Sequence, residues 1–119
     1  MSFKTVRAPG LVQVADPGTG GGITVPHGGD LYCDMTTGGS GETRTIGAPA
    51  YLGQTATLML STDGGGDAVV TASAAINTAG NNTLTFADAG DYIRLFGANQ
   101  GSGLVWRVVV NTGVALSTV

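Results

Sequence analysis

Thr83 to Val119 reads TLTFADAGDYIRLFGANQGSGLVWRVVVNTGVALSTV. Four strand-like runs follow one another in it: Thr83 to Phe86, Asp91 to Phe96, Leu104 to Val110 and Val114 to Ser117. Turns separate them at Ala87-Asp88-Ala89-Gly90, in a longer loop from Gly97 to Gly103, and at Asn111-Thr112-Gly113. Alternation sorts the side chains into faces, because successive residues of a strand point to opposite sides. Ile93 and Leu95 oppose Tyr92, Arg94 and Phe96. Leu104, Trp106, Val108 and Val110 share one face of the next run, and Val105, Arg107 and Val109 share the other. Both of those faces are largely apolar. The run is therefore expected to be covered twice, by sandwich packing on one side and by a subunit contact on the other.

The same alternation extends towards the N-terminus. In Gln54 to Ser61, Ala56, Leu58 and Leu60 form one face, and Thr55, Thr57 and Met59 the other. Glu42 to Ile46 puts Thr43 and Thr45 together. Ile23 to Val25, Asp30 to Met35 and Ala68 to Ser73 read as further strands. Asp63-Gly64-Gly65-Gly66-Asp67 separates two of these runs, and Asp-Gly there predicts a hairpin. Ala74 to Gly80 is read as strand then loop, since Asn77, Gly80, Asn81 and Asn82 oppose a longer helix. Ser2 to Arg7 is a short possible strand, broken by Pro9-Gly10, and Leu11 to Val14 is another apolar run. Large apolar residues are sparse up to residue 22. Residues 1–22 are expected to be an arm with a flexible Gly-rich loop, and residues 23–119 a single β domain. Such an arm could pair with a neighbour's sheet edge.

At 119 residues the chain is long enough for one core without disulfides or metals. Charged residues make up 11%, against a usual figure of about 25%. Glycine supplies 21 residues, and mean hydropathy is only +0.23. Disordered chains show the reverse pattern, high charge with few apolar residues. The five cations, Lys4, Arg7, Arg44, Arg94 and Arg107, are scattered. Nucleic-acid affinity comes from clustered cations, so no nucleic-acid partner is expected. Little self-repulsion suits a protein that lives in an assembly. No run approaches a membrane span, and no apolar stretch follows Lys4 and Arg7 before Pro9. Neither a membrane partner nor a secretory leader is expected.

Several residues invite chemistry and receive a plainer reading. Cys33 is the lone cysteine, in an apolar strand, and reads as a buried small hydrophobe rather than a thiol served by His27. His27 precedes two glycines and reads as a turn residue, not a metal ligand. The glycines from Gly18 to Gly22 lack the Lys and the helix of a phosphate-binding loop. Asp63 and Asp67 supply too few oxygens for calcium. Asp30, Asp34 and Glu42 could serve glycoside hydrolysis only if a cleft joined them, and read as solvated strand carboxylates. Ser40 lies in no Gly-x-Ser-x-Gly frame. Trp106 with Arg94 or Arg107 could stack a sugar or base, but a single tryptophan on an apolar strand reads as core or interface. No enzyme activity and no cofactor are expected.

Three groups of residues carry a family resemblance. The first is Arg44-Thr45-Ile46 with Pro49, then Gly53-Gln54 and the alternating run to Ser61. The second is Asp63 to Asp67 with Val69-Val70-Thr71. The third joins Thr85-Phe86, Ala89 to Leu95, Trp106 to Val109, Asn111 and Gly113 to Ser117. From Arg44 to Ala115 the chain resembles the capsid decoration (cement) and related head-surface proteins of tailed bacteriophages. The resemblance implies a compact β domain, often trimeric, made in the host cytoplasm and seated on the outside of the head. There it would bridge major capsid protein subunits after expansion. It transfers no catalytic residue. The fold expected is all-β: a small antiparallel β-sandwich or barrel, jelly-roll or β-tulip-like, with an extended N-terminal arm. Phe3, Lys4, Val6, Arg7, Leu11 and Val12 are expected to reach the capsid. Tyr92, Arg94, Phe96, Val105, Arg107 and Val109 are expected at the subunit contact. A rival expectation is a host-adhesion or carbohydrate-binding module on a fibre or tail, with Trp106, Tyr92, Tyr51 and Tyr32 exposed on one face.

Overall fold

A computed structural model describes residues 10–101 and 103–119. Ten strands run in order: β1 (Leu11–Val14), β2 (Gly21–Ile23), β3 (Asp30–Thr37), β4 (Glu42–Ile46), β5 (Thr55–Asp63), β6 (Ala68–Ala72), β7 (Thr83–Phe86), β8 (Tyr92–Gln100), β9 (Gly103–Thr112) and β10 (Ala115–Ser117). They form two five-stranded sheets, one ordered β1-β3-β5-β8-β9 and the other β10-β7-β6-β4-β2. The first is called sheet A below, the second sheet B. The all-β sandwich expected from the alternation is present. Among the described residues there is no helix, hence none long and apolar enough to cross a membrane.

The pairing differs from the antiparallel expectation. β1, β3 and β5 pair in parallel, as do β2, β4 and β6. The chain alternates between the sheets, so β1–β2, β3–β4 and β5–β6 are three stacked turns of a flattened coil. The C-terminal half closes the sandwich in antiparallel fashion. β7 and β10 extend sheet B, and the β8–β9 hairpin extends sheet A. Parallel coiling rules out a jelly-roll order.

Asp63 to Asp67 is therefore no hairpin: it carries the chain from sheet A to sheet B. The glycines serve a close approach between turns of the coil. Gly66 N–H donates to Gly38 O at 2.9 Å, Thr37 Oγ1 donates to Gly66 O at 2.8 Å, and Glu42 N–H donates to Asp67 O at 2.8 Å. A Cβ on Gly66 would run into the Ser40 carbonyl, and one on Gly64 into that of Thr37. The loops at 15–20, 38–41 and 64–67 are the three successive crossings from sheet A to sheet B.

The first of those turns corrects the N-terminal boundary. Residues 11–22 were expected in an arm, but Leu11 and Val12 lie in β1, in register with Asp30 and Leu31 of β3. Val14 packs against the core, and Ile23 of β2 is buried. Backbone pairing and this burial draw residues 11–22 into the domain. Phe3, Lys4, Val6 and Arg7 lie outside the described residues.

Between the sheets lies one apolar core, including Leu31, Met35, Leu58, Leu60, Ile76, Phe86, Ile93, Leu95 and Trp106. The inward residues of β5 are Ala56, Leu58 and Leu60, as the alternation predicts. In β9 the alternation breaks. Arg94 pairs with Val110 and Leu95 with Val108, which leaves Val109 as the extra residue of a bulge. Val110 is thereby carried from the Trp106 face to the outer face, since one inserted residue reverses every later side chain. The long Gly97–Gly103 loop is also absent: β8 runs on to Gln100, and the turn falls at Gly101.

Candidate functional site

Two groupings of polar side chains stand out, one inside the sandwich and one on its surface. The inner one centres on Arg44. Alternation in β4 sends Thr43 and Thr45 outward and Arg44 inward, where its side chain is fully buried. Gly21, its register neighbour in β2, adds no side chain there. Arg44 Nε donates to Asp16 Oδ1 at 2.6 Å and Nη2 donates to Asp16 Oδ2 at 3.0 Å, a two-pronged grip on one carboxylate. Nη2 also reaches Thr36 O at 3.0 Å and Glu42 Oε1 at 2.9 Å, while Nη1 has no acceptor among the described residues. Asp16 accepts two backbone bonds as well, from Thr36 N–H at 3.0 Å and Gly18 N–H at 3.1 Å. Burial alone would raise the Asp16 pKa; the Arg44 hydrogen bonds, together with those from Thr36 and Gly18, outweigh it and hold the carboxyl below its usual range. The cluster fastens the first turn of the coil to the second. It was legible only in part: alternation sets Arg44 on the face opposite Thr43 and Thr45, but that this face turns inward and that Asp16, remote in sequence, meets it come from the tertiary structure.

The surface grouping is the outer face of sheet A. It brings together all six residues expected at a subunit contact. Tyr92, Arg94 and Phe96 project from β8, Val105 and Arg107 from β9, and Val109 sits at the bulge. Phe96 is 38% exposed, Val109 52% and Val110 39%. Among the described residues, one side of β9 packs on the core and the other is open. Towards β1 the face continues through Thr55, Thr57 and Met59 of β5 to Asp30, Tyr32 and Asp34 of β3.

Hydrogen bonds set this surface. Asp34 Oδ1 accepts from Tyr32 Oη at 2.8 Å and from Ser61 Oγ at 2.7 Å. Burial, then the Asp34 carboxylate, pushes the Tyr32 phenol up to about 12. Asp30 Oδ1 accepts from Thr55 N–H at 3.0 Å. Arg94 Nε donates to Thr57 Oγ1 at 3.1 Å. Arg107 curls back to Ala75 O at 2.7 Å and to Gln100 Oε1.

Other candidates resolve plainly. Trp106 is buried and its Nε1–H donates to Gly47 O at 2.8 Å, so it offers no stacking surface. Cys33 is fully buried, and burial pushes its thiol up to about 11, with Asp16 adding to the rise. Glu42 bonds Gly38 N–H and Arg44 from the sandwich interior side, apart from Asp30 and Asp34 on the outer face of sheet A. His27 is exposed in its turn. Asp63 Oδ1 caps Gly65 N–H at 2.8 Å. Among the described residues, no three His, Cys, Asp or Glu side chains gather closely enough to hold a metal ion.

Comparison with family models, curated proteins and solved structures gave no match for this chain.

Proposed function

We propose that the protein is a structural component of a phage virion that binds the outer surface of the head and stabilises the expanded capsid. The observation that carries the reading is the open, partly apolar outer face of sheet A on an otherwise well-packed small sandwich. Patches of this kind on small soluble domains commonly mark contact surfaces. The sequence resemblance over residues 44–115 supplies the partner class, the major capsid protein, and self-association as a trimer. The chemistry is binding. A protein that binds only the expanded lattice stabilises it by RT ln(1 + [L]/Kd) per site, about 2.7 kcal/mol at a hundredfold excess over Kd. Several linked contacts multiply the effect. Phe3, Lys4, Val6 and Arg7 are the proposed capsid-reaching residues, ahead of β1.

Co-sedimentation with expanded and unexpanded capsids tests the reading. Selective binding to expanded capsids, lost on deleting residues 2–9, is the expected result. A protein that ignores both capsid forms would refute it. The rival reading, a carbohydrate-binding or adhesion module, draws support from Tyr32 and Tyr92 flanking Met59 on the same face. It predicts sugar binding that Tyr92→Ala abolishes.

A further inference from the structure

The charges on the outer face of sheet A are segregated. The acids Asp30 and Asp34 lie on β3, and the cations Arg94 and Arg107 lie on β8 and β9. Between them runs β5, the middle strand of the sheet, which offers the uncharged Thr55, Thr57, Met59 and Ser61 there. None of the four charges has an ion-pair partner among the described residues: both ion pairs belong to Arg44. A face with acids on one side, cations on the other and an uncharged strip at its centre is complementary to itself.

We infer that this face docks on the same face of a second copy, related by a twofold axis that runs along β5. The inference rests on the proposed function only for self-association, and puts a pair in place of the trimer. Rotation about that axis lays β3 of one copy over β8 of the other. The acid side then meets the cation side twice, once in each direction, as a two-fold contact requires. Tyr32 comes to lie opposite Arg94, a pairing that a cation and an aromatic face favour. Phe96 and Val110 lose their exposure. The opposite arrangement, with the face turned end over end, would set acids over acids and cations over cations, so charge selects one of the two.

Size agrees. Five strands about 4.8 Å apart and roughly eight residues long span on the order of 600 Å² of plane, close to the ~800 Å² per partner of a stable interface. A face meeting its own copy about a twofold axis closes as a pair.

Charge exchange tests this. Asp34→Arg and Arg94→Asp should each weaken self-association about ten-fold or more, because each sets like charges in diagonally neighbouring positions of the contact twice, with Asp34 facing Tyr92 and flanking Arg94 of the other copy. An equimolar mixture of the two variants should recover two-copy particles, since both contacts between positions 34 and 94 in the mixed pair are again of opposite sign. In a ring of three copies the same mixture always leaves one like-charge contact. Light scattering reads the outcome: two copies for the native chain and for the mixture support the inference, whereas one copy, three copies or no recovery overturns it. Met59→Cys decides independently if a charge variant does not fold. Met59 lies on the axis, so mild oxidation should join two such chains through residue 59, and failure to cross-link overturns the inference. Binding to expanded capsids by a protein that stays single in solution would overturn the pairing and leave the proposed function standing.

Discussion

Asp16→Ala tests how the coil is held together. The substitution removes two charge-assisted bonds from Arg44 and two backbone bonds, from Thr36 and Gly18. Breaking a buried ion pair from one side costs about 3–5 kcal/mol, because the other charge stays buried without its partner. Here Glu42 still bonds Arg44 Nη2, and the Asp16 side chain is 20% exposed, so the low end applies, about 3 kcal/mol. With a urea m-value of about 1.5 kcal/mol/M, the unfolding midpoint should fall by about 2 M. Loss of amide protection should concentrate in β1 and β2, the turn of the coil that Asp16 fastens. Adding Arg44→Met removes the stranded charge and should restore most of the loss. The pH dependence has a definite sign. The folded-state pKa of Asp16 is lowered, so its contribution is complete above the unfolded carboxylate pKa, near 4, and disappears as pH falls through the folded value. The gap between native protein and Asp16→Asn should therefore narrow only in acid. A midpoint shift under about 0.5 M, or a double variant no more stable than Asp16→Ala, would refute the reasoning.

Three further outcomes are expected. Gly66→Ala should destabilise the fold by more than about 2 kcal/mol, since the added methyl meets the Ser40 carbonyl, whereas Gly41→Ala, with open space around it, should change stability by under about 0.5 kcal/mol; denaturant midpoints compare them. Cys33 should resist thiol reagents at pH 8 in the native protein and react fully once unfolded, because burial keeps it protonated. Trp106 emission should be blue-shifted and unquenched by iodide even in a single chain; strong quenching would mean that the indole leaves the core.

Sequence alone determined the strand content and most of the inward and outward assignments. The β5 and β8 patterns follow from period-two alternation, a property of a single strand. Composition likewise pointed to one packed domain and away from clustered cations. What alternation does not encode is which strand lies beside which. The sandwich could be antiparallel throughout, with a hairpin at Asp63 to Asp67, or coiled in parallel with that segment crossing between sheets, and the local pattern would be the same. Tertiary structure decided for the coil, because Gly64 and Gly66 let the crossing backbone settle on residues 37–40, a contact between remote segments. It also decided the bulge at Val109, which moved Val110 outward, and the meeting of Asp16 with Arg44. The outer face of sheet A shows the same division. Each strand's contribution could be read from its own alternation, but the separation of acids from cations across β5 exists only through strand order, which long-range pairing sets.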